Sequence, residues 1–203
     1  MRAPRYTQLL EERIMVSLMQ LWAPIVLSAV LVFVASSIIH MVLKWHKSEY
    51  RGFANEDEVR AAINKHPAAP GKYVVPFCLG PKEMADPAMQ QKYQAGPVGI
   101  MLLQAPGAPN MGKILGQWFV FSLLAALAAA YIASCTLAAG ADYRQVFCTV
   151  GAISFLTYTG GSVIDGIWMG KQWSAVLKDA VDGAIYAGLC GGAFGWLWPA
   201  AAP

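Results

Sequence analysis

Apolar residues fall in long uninterrupted blocks along this chain, with few polar positions between them. No formally charged residue occurs from Ile14 to Leu43, and a second uncharged block runs from Ile114 to Ala141. Each block exceeds the roughly 20 residues that an α-helix needs to cross a hydrocarbon core. A helix also satisfies its backbone groups within one segment, which lipid requires. The pattern therefore predicts an all-α integral membrane protein.

The blocks predict a bundle of about four transmembrane helices, at residues 21–43, 114–137, 146–169 and 183–198. The second and third are joined by a short AGADYRQ turn, so they should be antiparallel neighbours. The fourth is the shortest and ends in the aromatic GWLWP segment. An N-terminal tail, residues 1–20, precedes the first.

Residues 44–113 hold nine of the fifteen Lys and Arg and six of the twelve acids, which predicts one mixed and mostly irregular extramembrane segment. Asn55 followed by three acids indicates the start of a short helix near 56–65. The following KYVVPF stretch is at most an edge strand. The apolar stretch Val98–Ala105 is too short to span, so we expect it at the interface or packed on the bundle.

The composition agrees with a membrane protein, since 57% of the residues are hydrophobic and 13% are charged, against about a quarter charged in soluble domains. The net charge of +3 comes from scattered residues, so no nucleic-acid partner is expected. Basic residues near helix ends instead report orientation. Six lie on the side of the long loop and four on the other, which predicts a cytoplasmic long loop, in a bacterial inner membrane.

Asp165 is the only acid within a predicted span. An intramembrane carboxylate is a candidate for ion or proton handling because its burial is costly. A structural or interfacial role is favoured here, since Asp165 lies near a helix end with Trp168 beside it. Asp182 is interpreted as a cap on the fourth helix.

His40 is the only histidine in a predicted span, so the spans offer no pair of histidines for a haem. No cofactor is predicted, although a single pigment or quinone contact at His40 stays open. A packing role is the favoured alternative. His46 and His66 show no ligand-like spacing to each other or to a cysteine, and the four cysteines form no C-x-x-C pair, so no metal site is predicted.

Small residues recur at four-residue steps on the fourth predicted helix, and two adjacent glycines lie in the middle of the third. In lipid, small residues let helix backbones approach closely, so we expect the fourth helix to be clamped against another helix. The predicted packing residues are Gly160, Gly161, Ala184, Gly188, Gly191, Gly192 and Gly195, with Ala187 on the line of Gly191 and Gly195.

No nucleotide-binding, hydrolase or zinc-protease motif is present. The first hypothesis is a non-catalytic accessory or scaffold subunit of a larger membrane complex, possibly an energy-converting one. Its expected partners are the lipid bilayer and other membrane protein subunits. The alternative is a small oligomeric transporter or channel protomer that uses Asp165. A membrane enzyme built on the long loop is the weakest of the three.

Overall fold

The computed structural model describes residues 16–66 and 68–201. Three helical segments are long and apolar enough to cross a membrane, namely Leu18–Val42, Met111–Thr136 and Tyr143–Trp168. The predicted helical fold is confirmed, and these three segments have the length and the apolar composition that a membrane span requires. Residues 1–15 of the predicted N-terminal tail lie outside the described residues.

The first span changes its helical winding twice. A 3₁₀ turn at Leu18–Leu21 leads into α1, Trp22–Ser37, and the last turn, Ile38–Val42, is π-helical. Leu43 is extended, and a 3₁₀ helix follows at Lys44–Glu49. π-Helical turns are rare and often occur at functional sites.

Three further long helices complete this part of the chain. Helix α5, Met111–Thr136, begins at Asn110, whose Oδ1 accepts from the Lys113 N–H, as an N-cap does. Helix α6 is Tyr143–Trp168 and α7 is Trp173–Leu197. The α-helices between α1 and α5 are shorter and belong to residues 50–109.

Helix α7 starts ten residues before the predicted residue 183. Residues 170–181, with Lys171, Lys178 and Asp179, were expected to form a polar link before this helix. Lys178, Asp179 and Asp182 instead all lie within the first ten residues of α7. Asp182 is therefore inside the helix and does not cap it. Helix α7 is not among the three segments apolar enough to span, so the predicted count of four spans is not established.

The long helices pack through small side chains. Helix α1 contacts both α5 and α7. Its buried residues include Ser28, Ala29 and Val32, and α5 buries alanines at 125, 126, 129, 130 and 133. Such residues allow the close backbone approach that stabilises helix pairs in lipid. Several buried serines bond back to their own helix, as where Ser122 Oγ donates to the Trp118 carbonyl at 3.0 Å. Ser28 Oγ, in contrast, has no hydrogen-bond partner among the described residues.

Helix α7 lies against α6 along a line of small residues. A β-carbon built on Gly191 would lie 2.8 Å from the Phe147 carbonyl oxygen, and one on Gly195 would lie 2.7 Å from the Tyr143 ring. One built on Gly183 would collide with the Thr159 side chain. Gly160, Gly161 and Gly188, in contrast, have open space at that position. Of the predicted packing residues, Gly191 and Gly195 therefore meet α6, while Ala184 is exposed and Gly192 approaches only the Tyr143 hydroxyl.

Large apolar side chains on the outer surface of these helices are exposed in the isolated chain. On α1 they include Val26, Val30 and Val34, each over 40% exposed and spaced one helical turn apart. Leu124 on α5 and Leu156 on α6 are exposed by 58% and 69%. Apolar surfaces of this kind suit contact with lipid.

By their contacts the residues form two units. The long helices and Lys44–Glu49 belong to the first, and Tyr50–Pro109 with Trp168–Gly170 form the second. The second unit contains the short helices α2, Glu56–Asn64; α3, Pro81–Met84; and α4, Pro87–Ala95.

The second unit also contains a two-stranded antiparallel sheet. Strand β1, Gly71–Val75, pairs with β2, Gly99–Leu103, and Tyr73 stands opposite Met101. The stretch Val98–Ala105 was expected at the interface or packed on the bundle; most of it is this second strand. Pairing with β1 satisfies the backbone of a segment too short to span.

Candidate functional site

A polar cavity of about 330 Å³ lies within the unit of long helices. Helices α5, α6 and α7 and the π-helical turn all contribute to its lining. The lining residues are His40, Trp118, Tyr158, Gly161, Ser162, Asp165, Lys171, Asp179, Asp182 and Tyr186. Asp182 is nine residues into α7, or about 14 Å along its axis. The cavity lies beside the 3₁₀ helix Lys44–Glu49, because Asp182 in its lining contacts His46.

His46 lies between two carboxylates. Its Nε2 is 2.9 Å from Asp182 Oδ2, and its Nδ1 is 2.7 Å from Glu49 Oε1. Both carboxylates can only accept, so a ring that makes both hydrogen bonds must donate from both nitrogens and carry a positive charge. The side chains of His46 and Asp182 are 12% and 5% exposed, so this charge pair is largely removed from solvent.

Two lysines neutralise the neighbouring acids. Lys178 Nζ lies 3.5 Å from Glu49 Oε1 and donates to the Trp45 carbonyl at 2.6 Å. Lys171 forms an ion pair with Asp179, which also accepts a hydrogen bond from the Ser162 hydroxyl. Glu49 and Asp179 thus each have a cationic partner of their own.

His40 lies in the π-helical turn after α1, and its side chain lies beside that of His46. The rings of His40 and His46 are 4.7 Å apart and nearly perpendicular. His40, His46 and Asp182 each offer one ligand atom, and these atoms lie within 4.8 Å of one another. His46, Glu49 and Asp179 form a second group that meets the same criterion.

The inner part of the cavity is aromatic. Tyr158 and Tyr186 have ring centroids 5.3 Å apart, and Trp118 lies 6.0 Å from the first and 6.4 Å from the second. The Trp118 indole N–H donates to Ser36 Oγ at 2.8 Å, which joins α5 to α1. This contact fixes one wall of the cavity.

Three buried polar atoms of the lining lack hydrogen-bond partners among the described residues, namely Asp182 Oδ1 and the hydroxyls of Tyr158 and Tyr186. Asp182 is 3% exposed and Tyr186 is 4% exposed. An unsatisfied buried polar group costs about 1–3 kcal/mol, and more when charged. These atoms therefore oppose folding unless something polar enters the cavity.

A second cavity, of about 310 Å³, lies beside the first and is mainly apolar. His40 contributes to its lining together with Met41, Met111, Ile114 and Trp118. The predicted pigment or quinone contact at His40 is untested and stays a prediction. The two cavities share His40 and Trp118.

No family model, curated protein or solved structure matches this chain. The functional interpretation of the candidate site therefore rests on the geometry of its residues alone.

The structure brings two of the predicted functional residues to this site. Asp165 and His40 both line the polar cavity, and Gly161 lies beside them. Asp165 is exposed and forms no salt bridge within residues 16–66 and 68–201. Asp182 is the buried carboxylate, and it is the one that contacts His46.

Sequence reasoning missed His46, Glu49, Asp179 and Asp182 as members of one site. A signal was present in their spacing, because His46 and Glu49, and likewise Asp179 and Asp182, are three residues apart. Residues three apart share a helical face. The partners that complete the site are over 130 residues away, which no local pattern shows.

Proposed function

We propose that the protein is a small cation-handling membrane protein, a transporter or channel protomer, and that the polar cavity is its ion-binding site. The observation that supports this most is the buried Asp182 Oδ1, which has no hydrogen-bond partner among residues 16–66 and 68–201, in a cavity that also contains Asp165 and Asp179. A carboxylate inside a membrane helix bundle is expensive and by default marks a functional site.

The charge of the cavity favours a cation. Its lining contains three carboxylates, Asp165, Asp179 and Asp182, against one ammonium group, Lys171. The remaining polar groups are hydroxyls and one imidazole, which can also turn an oxygen or nitrogen lone pair toward a positive ion. An anion would meet repulsion from Asp165, which forms no salt bridge among the described residues, and from the unsatisfied second oxygen of Asp182.

The accessory-subunit hypothesis stays a prediction, but one of its premises is absent. It assumed spans without paired charges or polar lining, whereas the described residues contain both. Replacing a buried ion pair by apolar residues is often neutral or stabilising. A purely structural protein would have no need of His46 and Asp182 at this position.

The proposal includes a fourth membrane helix. Helix α7 has 25 residues and would enter the membrane with its cavity-lining acids facing the bundle rather than lipid. The distribution of basic residues favours a cytoplasmic location for residues 44–113, and a bacterial inner membrane is retained as the proposed location. The cavity would then lie at the cytoplasmic end of the bundle.

Ion flux into reconstituted vesicles tests the proposed function. The full chain is purified in mild detergent and reconstituted into vesicles that contain either a pH-sensitive or a metal-sensitive dye. Entry of protons and of mono- and divalent cations is compared with that in empty vesicles. Asp182→Asn and Asp165→Asn each remove one negative charge from the cavity.

Asp142→Asn is the matched control, because Asp142 is exposed at the other end of α6, where its Oδ1 accepts from the Gln145 N–H at 3.1 Å. Asparagine can keep that cap. We expect wild type and D142N to admit a cation and D182N and D165N to fall toward the rate of empty vesicles. If wild-type vesicles admit none of these ions faster than empty ones, the proposal is wrong.

A further inference from the structure

We propose that His40, His46 and Asp182 bind a divalent transition-metal ion such as Zn²⁺ or Co²⁺, and that Glu49 orients His46 for this task. The inference rests on the proposed function and specifies the class of cation that the cavity handles. It also assigns a ligand role to residues on three separate elements: the π-helical turn, the 3₁₀ helix Lys44–Glu49 and α7.

The three donor atoms are close enough to share one ion. His46 Nε2 and Asp182 Oδ2 are 2.9 Å apart, and all three donors lie within 4.8 Å of one another. An ion about 2.0–2.2 Å from each ligand requires donor separations of about 3–3.6 Å. The separation of up to 4.8 Å would have to shorten on binding. The exposed His40 side chain makes no hydrogen bond to the described residues, so no such bond opposes its rotation toward the other two ligands.

Glu49 sets the direction of the His46 ring. Its Oε1 lies 2.7 Å from Nδ1, so a proton on Nδ1 leaves Nε2 directed at Asp182. Metal-binding histidines nearly always donate their second ring N–H to a carboxylate, a carbonyl or water. A metal ion would replace the proton between Nε2 and Oδ2 and leave the Glu49 contact intact.

Asp182 supplies independent support. Its Oδ1 is buried without a hydrogen-bond partner among the described residues, although its Oδ2 faces His46. A cation held by this carboxylate would satisfy the second oxygen, either directly or through a bound water. His40 and Asp182 also line the cavity, so a fourth coordination position would face a space large enough for water or another ligand.

The choice of donors selects the ion. Two imidazoles and one carboxylate suit Zn²⁺, Co²⁺, Ni²⁺ or Cu²⁺, whereas Mg²⁺ and Ca²⁺ prefer oxygen ligands alone. The alternative group of His46, Glu49 and Asp179 is less suited to metal binding. Glu49 is already paired with Lys178 and Asp179 with Lys171, and a metal ion would have to displace both lysines.

Cobalt titration tests this site directly. The purified full chain in detergent is stripped with a chelator, exchanged into metal-free buffer and titrated with Co²⁺, whose visible absorption reports coordination by nitrogen and oxygen. Zn²⁺ is then added as a competitor. The variants are His40→Ala, His46→Ala, Asp182→Asn and Glu49→Gln, with His66→Ala in the second unit as the matched control.

We expect wild type and H66A to bind one Co²⁺ per chain and to release it to Zn²⁺. H46A and D182N should lose the site, H40A should bind more weakly with a changed spectrum, and E49Q should weaken binding about 10–100-fold. Helix content and elution volume must match wild type for each variant. E49Q keeps every proposed ligand, so its effect on Co²⁺ affinity can still be interpreted if H46A fails to fold.

Two outcomes separate this inference from the proposed function. Flux of protons or alkali cations without Co²⁺ binding would overturn the metal site and leave the transport proposal standing. Stoichiometric Co²⁺ binding that depends on His46 and Asp182, with no ion flux, would support the metal site and overturn the transport proposal. Equal Co²⁺ affinity in wild type, H46A and D182N would also refute the site.

Discussion

Adding one methyl group to helix α7 should destabilise the protein at Gly191 and not at Gly188. The two glycines are three residues apart in the same helix, so Gly→Ala changes the intrinsic helix propensity equally, by about 1 kcal/mol in water. At Gly188 no heavy atom lies within 4 Å of the new carbon. At Gly191 that carbon would be 2.8 Å from the Phe147 carbonyl oxygen and 3.0 Å from the Phe147 ring.

The size of the expected destabilisation depends on whether the atoms around the new methyl group can move. The obstacle at Gly191 is a backbone oxygen of α6, which cannot rotate away, so the helices must separate. Overpacking of this kind costs about 1–3 kcal/mol. Because the propensity gain is common to both variants, the stability of G191A should fall below that of G188A by about that amount.

Reversible unfolding in mixed detergent micelles, followed by helical circular dichroism, measures the difference. G188A should match or exceed wild type, and G191A should unfold at a lower denaturing-detergent fraction. Equal stability of the two variants would show that α6 and α7 do not approach as closely as described. The glycine line would then have no special packing role.

Two further substitutions examine the cavity walls. Tyr186→Phe removes a buried hydroxyl that has no partner among the described residues, so unfolding should be unchanged or shifted to higher stability; a loss above about 1 kcal/mol would reveal a missed hydrogen bond. Trp118→Phe removes the 2.8 Å hydrogen bond to Ser36 and should cost about 1 kcal/mol. Identical melting of W118F and wild type would contradict that contact.

The spans could be predicted because lipid imposes a local rule. A segment such as Leu18–Val42 has to be helical wherever it lies in the bundle, since its backbone has no other partner in hydrocarbon. The helix α2, Glu56–Asn64, likewise follows local rules, with three acids in its first turn. Neither inference requires knowledge of the rest of the chain.

The start of α7 and the site could not be predicted because they depend on distant partners. When only neighbouring residues are considered, Lys178 and Asp179 look like part of a polar link and Asp182 looks like a helix cap. In the structure they face Glu49, Lys171 and His46, and these contacts make a charged helical segment compatible with the bundle. Residues 44–47 are basic and aromatic, a composition typical of headgroup depth, yet the His46 side chain is mostly buried and contacts Asp182.

Helix packing and the site depend on each other along α7. Gly183 follows Asp182 directly, and its lack of a side chain lets Thr159 of α6 come close. Ser162, one turn further along α6, then reaches Asp179, one turn back along α7. The close approach that small residues permit is therefore also what carries α6 to the acids of the cavity. A bulkier residue at Gly183 would push Ser162 from Asp179 and loosen the cavity wall without touching His46 or Asp182.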